Sequence, residues 1–468
     1  MEIRSVKADR VWLELEPKLG GGKNRVDLLT GPNGSGKSEI LGFLANSFRT
    51  GKYKDLGGQI DWGVRSGNGN RGWSQEPSRV IAQTYSPFTR FPPPMLSESS
   101  LTKVYAEGAE SSSLYVCAGL HKSTRVVSSS LSRNTLEQAI YRLSESLDSV
   151  DSILRVMENL KLSDRFDFTY EARPGLRPLL QAGRDGQMIG YLERRKEEAL
   201  EMRYARSGLD QELRKEETVE LAALIIQAFE ILGSDLQESK IFRRGIGSIR
   251  ESGRYDYAAF QSLSLLRRLD VLTLRRCELA SASGQVFDVA NASSGQQQML
   301  CSVIGLATAL RDDSLVLIDE PELSLHPRWQ QLYLDNLFST LEPFKGCHVL
   351  VATHSPLIVQ RGQALGAGVI QVKKESMSEP LPQDGSSVEA TLQNVFETPV
   401  TGSVHLANEI FSLITTAESE GGGARKNSLA ELRRLQELYS DENYRDDKTL
   451  RLIREAIDLL NMDAQEHA

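Results

Sequence analysis

Four short segments carry the residue types that could do chemistry. The first, Gly31-Pro32-Asn33-Gly34-Ser35-Gly36-Lys37-Ser38, fits the phosphate-cradling pattern G-x-x-x-x-G-K-[ST]. Its glycines let the backbone curl round an anion, and the start of a helix offers it free N–H groups. Asn33, Gly34, Ser35 and Gly36 are therefore candidate phosphate contacts. Lys37 is placed to reach the β- and γ-phosphates, and the Ser38 hydroxyl to bind Mg²⁺. The second segment, Leu315-Val316-Leu317-Ile318-Asp319-Glu320, reads as a buried strand ending in two acids. Asp319 is the candidate Mg²⁺ ligand and Glu320 the group that polarises an attacking water. The third runs from His348 to Ala352 and ends in Thr353-His354-Ser355, with His354 a candidate donor to a γ-phosphate. The fourth, Asn291 to Gln298, is a polar turn opening an apolar helix, which reads as an anion site or a plain N-cap.

These groups need elements to hold them. Val26–Thr30 reads as a buried strand before the loop and Ile40–Leu44 as a helix after it. With two further buried strands this predicts an α/β sheet whose ligands lie beyond the strands' carboxyl ends. The 468 residues, 40% hydrophobic and 25% charged, suit a large globular chain with insertions or two domains. A net charge of −8 argues against wholesale coating of nucleic acid. Four scattered cysteines form no C-x-x-C and read as thiols of a reducing compartment. No apolar run approaches the length of a membrane span and the N-terminus has no apolar leader, so no membrane partner and a cytoplasmic location are expected.

The order of the four segments resembles an ABC-type ATPase head of the RecF, Rad50, SMC and OLD-like group. Gly31–Ser38 resembles the Walker A loop, Ala292-Ser293-Ser294-Gly295-Gln296 the signature motif, and Leu315–Glu320 Walker B. Leu323–His326 resembles the D-loop and His354 the switch histidine, while Gln83 matches the Q-loop glutamine, a further metal contact. The resemblance implies ATP and Mg²⁺ as cofactors, with Glu320, Lys37 and His354 catalytic. It also implies that Ser293 and Gly295 contact the nucleotide of a second subunit, in a head-to-tail dimer sharing two ATP. The implied fold is an α/β ABC-type P-loop head with a helical insertion and a helical C-terminal tail. Its boundaries fall at 1–130 (first lobe), 131–269 (insertion), 270–375 (second lobe) and 376–468 (tail).

Within the insertion, Leu136, Ile140, Leu143, Leu147, Val150, Leu154 and Met157 alternate four-three, as an a/d seam or as plain core. Asn134 and Glu137 offer a capping box before it, and Tyr191 to Glu217 reads as an exposed charged helix. Residues 241–276 hold eight arginines, among them Arg243, Arg244, Arg275 and Arg276, against three acids. They could bind nucleic acid or pair with acidic neighbours. In the tail, Thr416–Lys426, which contains Gly421–Gly423, reads as a flexible linker and Ser428 with Glu431 as a capping box. Leu450, Ile453, Ile457 and Leu460 form one face that could dock on its own head or on a partner. Trp12 could stack on adenine, although a core role is the simpler expectation.

The loop together with Ser86–Pro92 and Glu320–Gln330 is similar to the ATPase subunits (PtuA) of Septu and retron-associated anti-phage systems, and in second place to the ATPase of the PARIS system, which is partnered by a Toprim nuclease. The resemblance implies a dimeric, possibly higher-order, ATPase that controls a separate nuclease or toxin subunit, an HNH nuclease being favoured, with no nuclease site of its own. Two alternatives stand beside it: a DNA-repair or DNA-tethering ATPase, and an ATP-binding scaffold or toxin inhibitor with little turnover.

Overall fold

The computed structural model describes residues 1–9, 11–15, 23–52, 58–63, 76–84, 86, 89–92, 114–118, 132–133, 135–137, 139, 150–202, 207–236, 241–246, 254–373, 379–380, 387–396, 398–400, 403–420, 422–440 and 447–466. Strands β1 (Glu2–Ala8) and β2 (Val11–Glu14) precede β3 (Arg25–Thr30), the loop and helix α1 (Lys37–Thr50). Strands β4 (Gly58–Gly63), β5 (Val80–Thr84) and β6 (Tyr115–Cys117) complete the first part of the head. The insertion carries α2 (Val150–Asn159), β7 (Leu162–Ala172), α3 (Leu176–Arg184), α4 (Met188–Glu201), α5 (Gly208–Leu213) and α6 (Thr218–Leu232). Strand β8 (Ile241–Ile246), helix α7 (Arg254–Arg268), β9 (Leu272–Ser281) and β10 (Val286–Asp288) follow. The head resumes with α8 (Ser294–Ala309), β11 (Leu315–Asp319), α9 (Pro327–Leu341), β12 (His348–Ala352), α10 (Pro356–Ala364), β13 (Gly368–Gln371) and β14 (Glu379–Pro380). Helices α11 (Val388–Asn394), α12 (Val404–Glu420), α13 (Gly422–Tyr439) and α14 (Asp447–Glu466) form the tail.

A seven-stranded sheet in the order β14-β13-β3-β12-β11-β5-β6 forms the head, parallel except for β14. Its central strands are apolar and buried on both faces, as a parallel sheet covered on two sides requires. One face packs on α1, β1 and β2, and the other on α8, α9 and α10. This is the α/β P-loop ATPase fold with helical regions. Register puts Leu29, Ala352, Asp319 and Thr84 side by side at one edge. Because β12 lies between β3 and β11, the residues after it emerge between the phosphate-type loop and the two acids. At the opposite edge His348 is buried and held below the ordinary imidazole value by that burial. Its Nδ1 accepts the Ile3 N–H at 3.0 Å and its Nε2 faces Asp27 at 2.9 Å, fastening β1 to the sheet.

The insertion is helical in part and adds a four-stranded antiparallel sheet, β10-β9-β7-β8. The alternation of Phe166, Phe168 and Tyr170 with polar residues explains β7: three aromatics enter the core and their neighbours face outward. The expected boundary at 269/270 is corrected by this sheet, since β9 and β10 pair with the insertion's own strands. Leu136, Leu154 and Met157 are buried in that core; Asn134, Ile140, Leu143 and Leu147 lie outside the described residues. Glu137 is no capping residue, for it is buried, accepts the Tyr170 hydroxyl at 2.8 Å and pairs with Arg267. The charged stretch from Tyr191 is two helices, and Ser207 with Asp210 caps the second.

The tail corrects three expectations. Gly422 and Gly423 lie within α13, packed against α12, so the described part of the glycine run is helix and not linker. Ser428 is buried within that helix and cannot cap its start. Leu450, Ile453 and Leu460 dock on α12 and α13, giving the tail a core of its own. Among the described residues no helix is long and apolar enough to cross a membrane. Among the described residues no disulfide joins the four cysteines, and Cys277, Cys301 and Cys347 are buried.

Candidate active site

Helix α1 starts at Gly36, whose φ of 102° only glycine adopts without strain, and no side chain caps the helix. A Cβ there would lie 2.3 Å from Val11 Cγ2 of β2, so the loop is wedged under the small N-terminal sheet. Gly31 and Gly34 also take positive φ, and a Cβ on Gly31 would lie 2.7 Å from the Val372 carbonyl. Asn33 and Gly34 are exposed at the tip of the loop and Ser35 is buried beneath it. Lys37 is buried; its Nζ donates to the Gly31 carbonyl at 2.9 Å and the Pro32 carbonyl at 3.1 Å. The loop thus folds back on the ammonium through two of its own carbonyls, at the uncapped start of α1, where a helix end favours an anion; this is the candidate cradle.

The acids meet this cradle directly. Ser38 Oγ donates to Asp319 Oδ1 at 2.8 Å. Burial pushes the Asp319 carboxyl up to about 6, with Glu320 and Glu322 adding to the effect and the Ser38 bond opposing it. Burial likewise lowers the Lys37 ammonium to about 8, against the attraction of Glu320, Asp319 and Glu322. Glu320 ends the strand with its N–H on the Ala352 carbonyl at 2.9 Å and a left-handed φ of 49°. A non-glycine residue held in this region is strained, a condition found often at active sites. His354 is half-buried; burial and then the Lys37 charge hold it below the ordinary imidazole value, leaving a neutral ring that can donate.

Gln83 is corrected. It lies inside β5 opposite Ile318, buried, with Nε2 donating to the Ser302 carbonyl at 2.8 Å and Oε1 accepting the Tyr333 hydroxyl at 3.2 Å. Both ends of its amide are thus used within the core, away from the Ser38–Asp319 pair where the metal is expected. Ser293 is exposed and forms a capping box with Gln296 at the start of α8. Gly295 sits where a Cβ would meet the Ser324 carbonyl at 3.0 Å, so this turn packs on the segment after β11. His326, matched to the D-loop, caps α9 through its Nδ1, 3.3 Å from the Arg328 N–H. Trp12 is 44% exposed on β2, next to the Val11 that touches the loop, which removes the core role expected for it. Sequence reading missed Glu322. Its carboxylate accepts the Thr353 hydroxyl and the His354 N–H, contacts with no local sequence signal.

The donor set fits Mg²⁺. A hydroxyl and a carboxylate side by side, backed by two more acids, suit an ion that keeps most of its waters and takes one or two protein ligands. Among the described residues no cluster of three or more His, Cys, Asp or Glu forms an all-protein metal cage.

Comparisons with known proteins bear on the second part of the head. A family described as "AAA domain, putative AbiEii toxin, Type IV TA system" matches residues 277–360, from β9 through β11 and β12 to α10. Protein ea59 of Escherichia phage lambda is 38% identical over 68 residues, 14% of this chain and 13% of that protein. The Retron Vc95 probable ATPase of Vibrio cholerae serotype O1 biovar El Tor is 31% identical over 88 residues, 16% of each chain. The matches thus span less than a fifth of either relative's length. Loop, sheet and matched segment together support a P-loop ATPase fold for the head.

Proposed function

We propose that the chain is a Mg²⁺-dependent ATPase of an anti-phage defence system, closing as a dimer round two ATP molecules to control a separate nuclease or toxin subunit. The observation that carries the reading is the convergence of Lys37, Ser38, Asp319, Glu320 and His354 on one sheet edge. The glycine cradle and Lys37 bind the β- and γ-phosphates. Ser38 and Asp319 hold Mg²⁺, which offsets phosphate charge when bound. Glu320 takes a proton from the attacking water, while the His354 N–H and Lys37 steady charge on the γ-phosphate oxygens. Ser293 of the partner subunit faces the same phosphate, and Trp12 stacks on the adenine. The retron ATPase relative and the toxin–antitoxin family description support the defence setting. The Septu-type HNH nuclease remains the favoured partner.

One observation favours effector control over DNA tethering. Arg243 and Arg276 pair with Glu278, Arg275 with Glu171, Arg267 with Glu137 and Arg268 with Glu212, so much of the basic stretch is neutralised at home. The test is Glu320→Gln with ATP and Mg²⁺. It should turn over at least a hundredfold more slowly and run at twice the monomer mass in light scattering. A variant that hydrolyses ATP normally and stays monomeric would refute the reading. Phage challenge of cells carrying the chain with its neighbouring genes then tests the defence role: Glu320→Gln should lose protection.

A further inference from the structure

Glu322 stands three residues past Asp319, in the turn that leads to α9. Its Oε1 accepts the backbone N–H of His354 at 2.6 Å, and its Oε2 accepts the Thr353 hydroxyl at 2.9 Å. The two carboxylate oxygens thus hold the two residues that follow β12. The turn is itself pinned on both sides. Gln298 of α8 donates to the Pro321 carbonyl at 2.7 Å, and Gln330 of α9 donates to the Leu325 carbonyl at 3.0 Å. The same Gln330 accepts the Ser355 hydroxyl at 2.6 Å, a second tie to the His354 segment. Burial raises the Glu322 carboxyl above its ordinary value, the Glu320 charge adding to the effect and the bonds to His354 and Thr353 opposing it. What it supplies is a fixed backbone under His354, through two charge-assisted bonds.

We propose that Glu322 is a positioning residue for ATP hydrolysis: it fixes the backbone of His354 so that the imidazole meets the γ-phosphate in register with Lys37. The proposal rests on the ATPase reading above. Misplacing a catalytic group by about 1 Å can cost on the order of 100-fold in rate. Glu322→Ala, which frees the loop, should therefore lower kcat by roughly 10- to 100-fold while KM for ATP stays within about threefold. Glu322→Gln can still accept from the His354 N–H and donate to the Thr353 hydroxyl, so it should stay within about threefold of the parent.

The deciding experiment is a double-mutant cycle in the full-length chain, with Mg²⁺-ATP turnover as the readout. Because Glu322 acts through His354, adding Glu322→Ala to His354→Ala should cost nothing further. Multiplying losses would overturn the proposal, as would a Glu322→Ala variant with the parent's kcat or a Glu322→Gln variant as damaged as the alanine. If Glu322→Ala fails to fold, Thr353→Val removes the Thr353–Glu322 bond at constant shape, together with the acceptor of the Ser355 N–H. It should lower kcat severalfold in the parent and not in His354→Ala, and an unchanged kcat in the parent would sink the proposal. A Lys37→Ala variant as fast as the parent would overturn the ATPase reading and this role together. Loss of turnover in Lys37→Ala beside a multiplicative cycle would overturn the positioning role alone.

Discussion

Two helices begin at the functional edge in opposite ways. Helix α1 starts on Gly36, in a left-handed conformation, with no side chain bonded to its first N–H groups. Helix α8 starts on Ser293, whose hydroxyl accepts the Gln296 N–H while the Gln296 side chain returns to the Ser293 N–H. The first helix leaves its donors for an anion; the second satisfies its own. Sequence alone marked the start of α1 as a phosphate-binding end and left that of α8 as an anion site or a plain N-cap. Cap chemistry separates them: α1 has no side-chain cap, and the turn at α8 presents one exposed hydroxyl already bonded to Gln296.

The largest effect that would break this contrast lies at the α1 site. Glu320→Gln should reduce steady-state ATPase by about 10²–10⁴-fold, the usual worth of a general base, with binding of a fluorescent ATP analogue retained. Gly36→Ala comes next. The new Cβ meets Val11 and the φ is unfavourable, so thermal unfolding should show a loss of about 1–3 kcal/mol together with weakened ATP binding. Gly34→Ala shares the unfavourable φ but meets nothing within 4 Å, and should cost less. The pH dependence of kcat/KM sharpens the same site. Asp319 must be ionised, which holds above about 6, and Lys37 protonated, which holds below about 8. The profile should therefore be bell-shaped, falling on the acid side near 6 and on the alkaline side near 8. A flat profile from pH 5 to 9 would remove both groups from the step. The smallest effect on stability is Ser293→Ala, about 1 kcal/mol for a lost cap. If α8 also serves a second nucleotide, ATPase should fall at least tenfold well below the melting temperature. A purely thermal effect would reduce Ser293 to a cap.

The site was legible because its chemistry is local: Gly31–Ser38, Asp319-Glu320 and Thr353-His354 each sit at the end of an apolar strand. Those same strands also announced the parallel sheet. Gln83 failed because position after a strand depends on where the strand ends, and the amide lies one residue inside it. The sheet of the insertion was hidden by its own spacing. Its strands β7, β8 and β9 are separated by helices, so their pairing is long-range, although the alternation at Phe166–Tyr170 was there to read. In the tail, three glycines outweighed the apolar period on either side, and packing of α13 against α12 overrode the low helix propensity of Gly422 and Gly423. Glu322 was invisible because its partners are 31 and 32 residues away.

From Gln298 to Ala309, α8 is buried on every side. Met299, Val303 and Leu306 belong to the core of the main sheet, while Leu300, Cys301, Ile304 and Ala307 belong to the core of the insertion. Ser293 is therefore the tip of a rod clamped between two bodies. Close-packed interiors do not stretch, so a load applied at that tip passes along the rod rather than dissipating in it. Were a nucleotide of a second subunit to bind at Ser293, as proposed above, α8 would carry that contact to both cores at once.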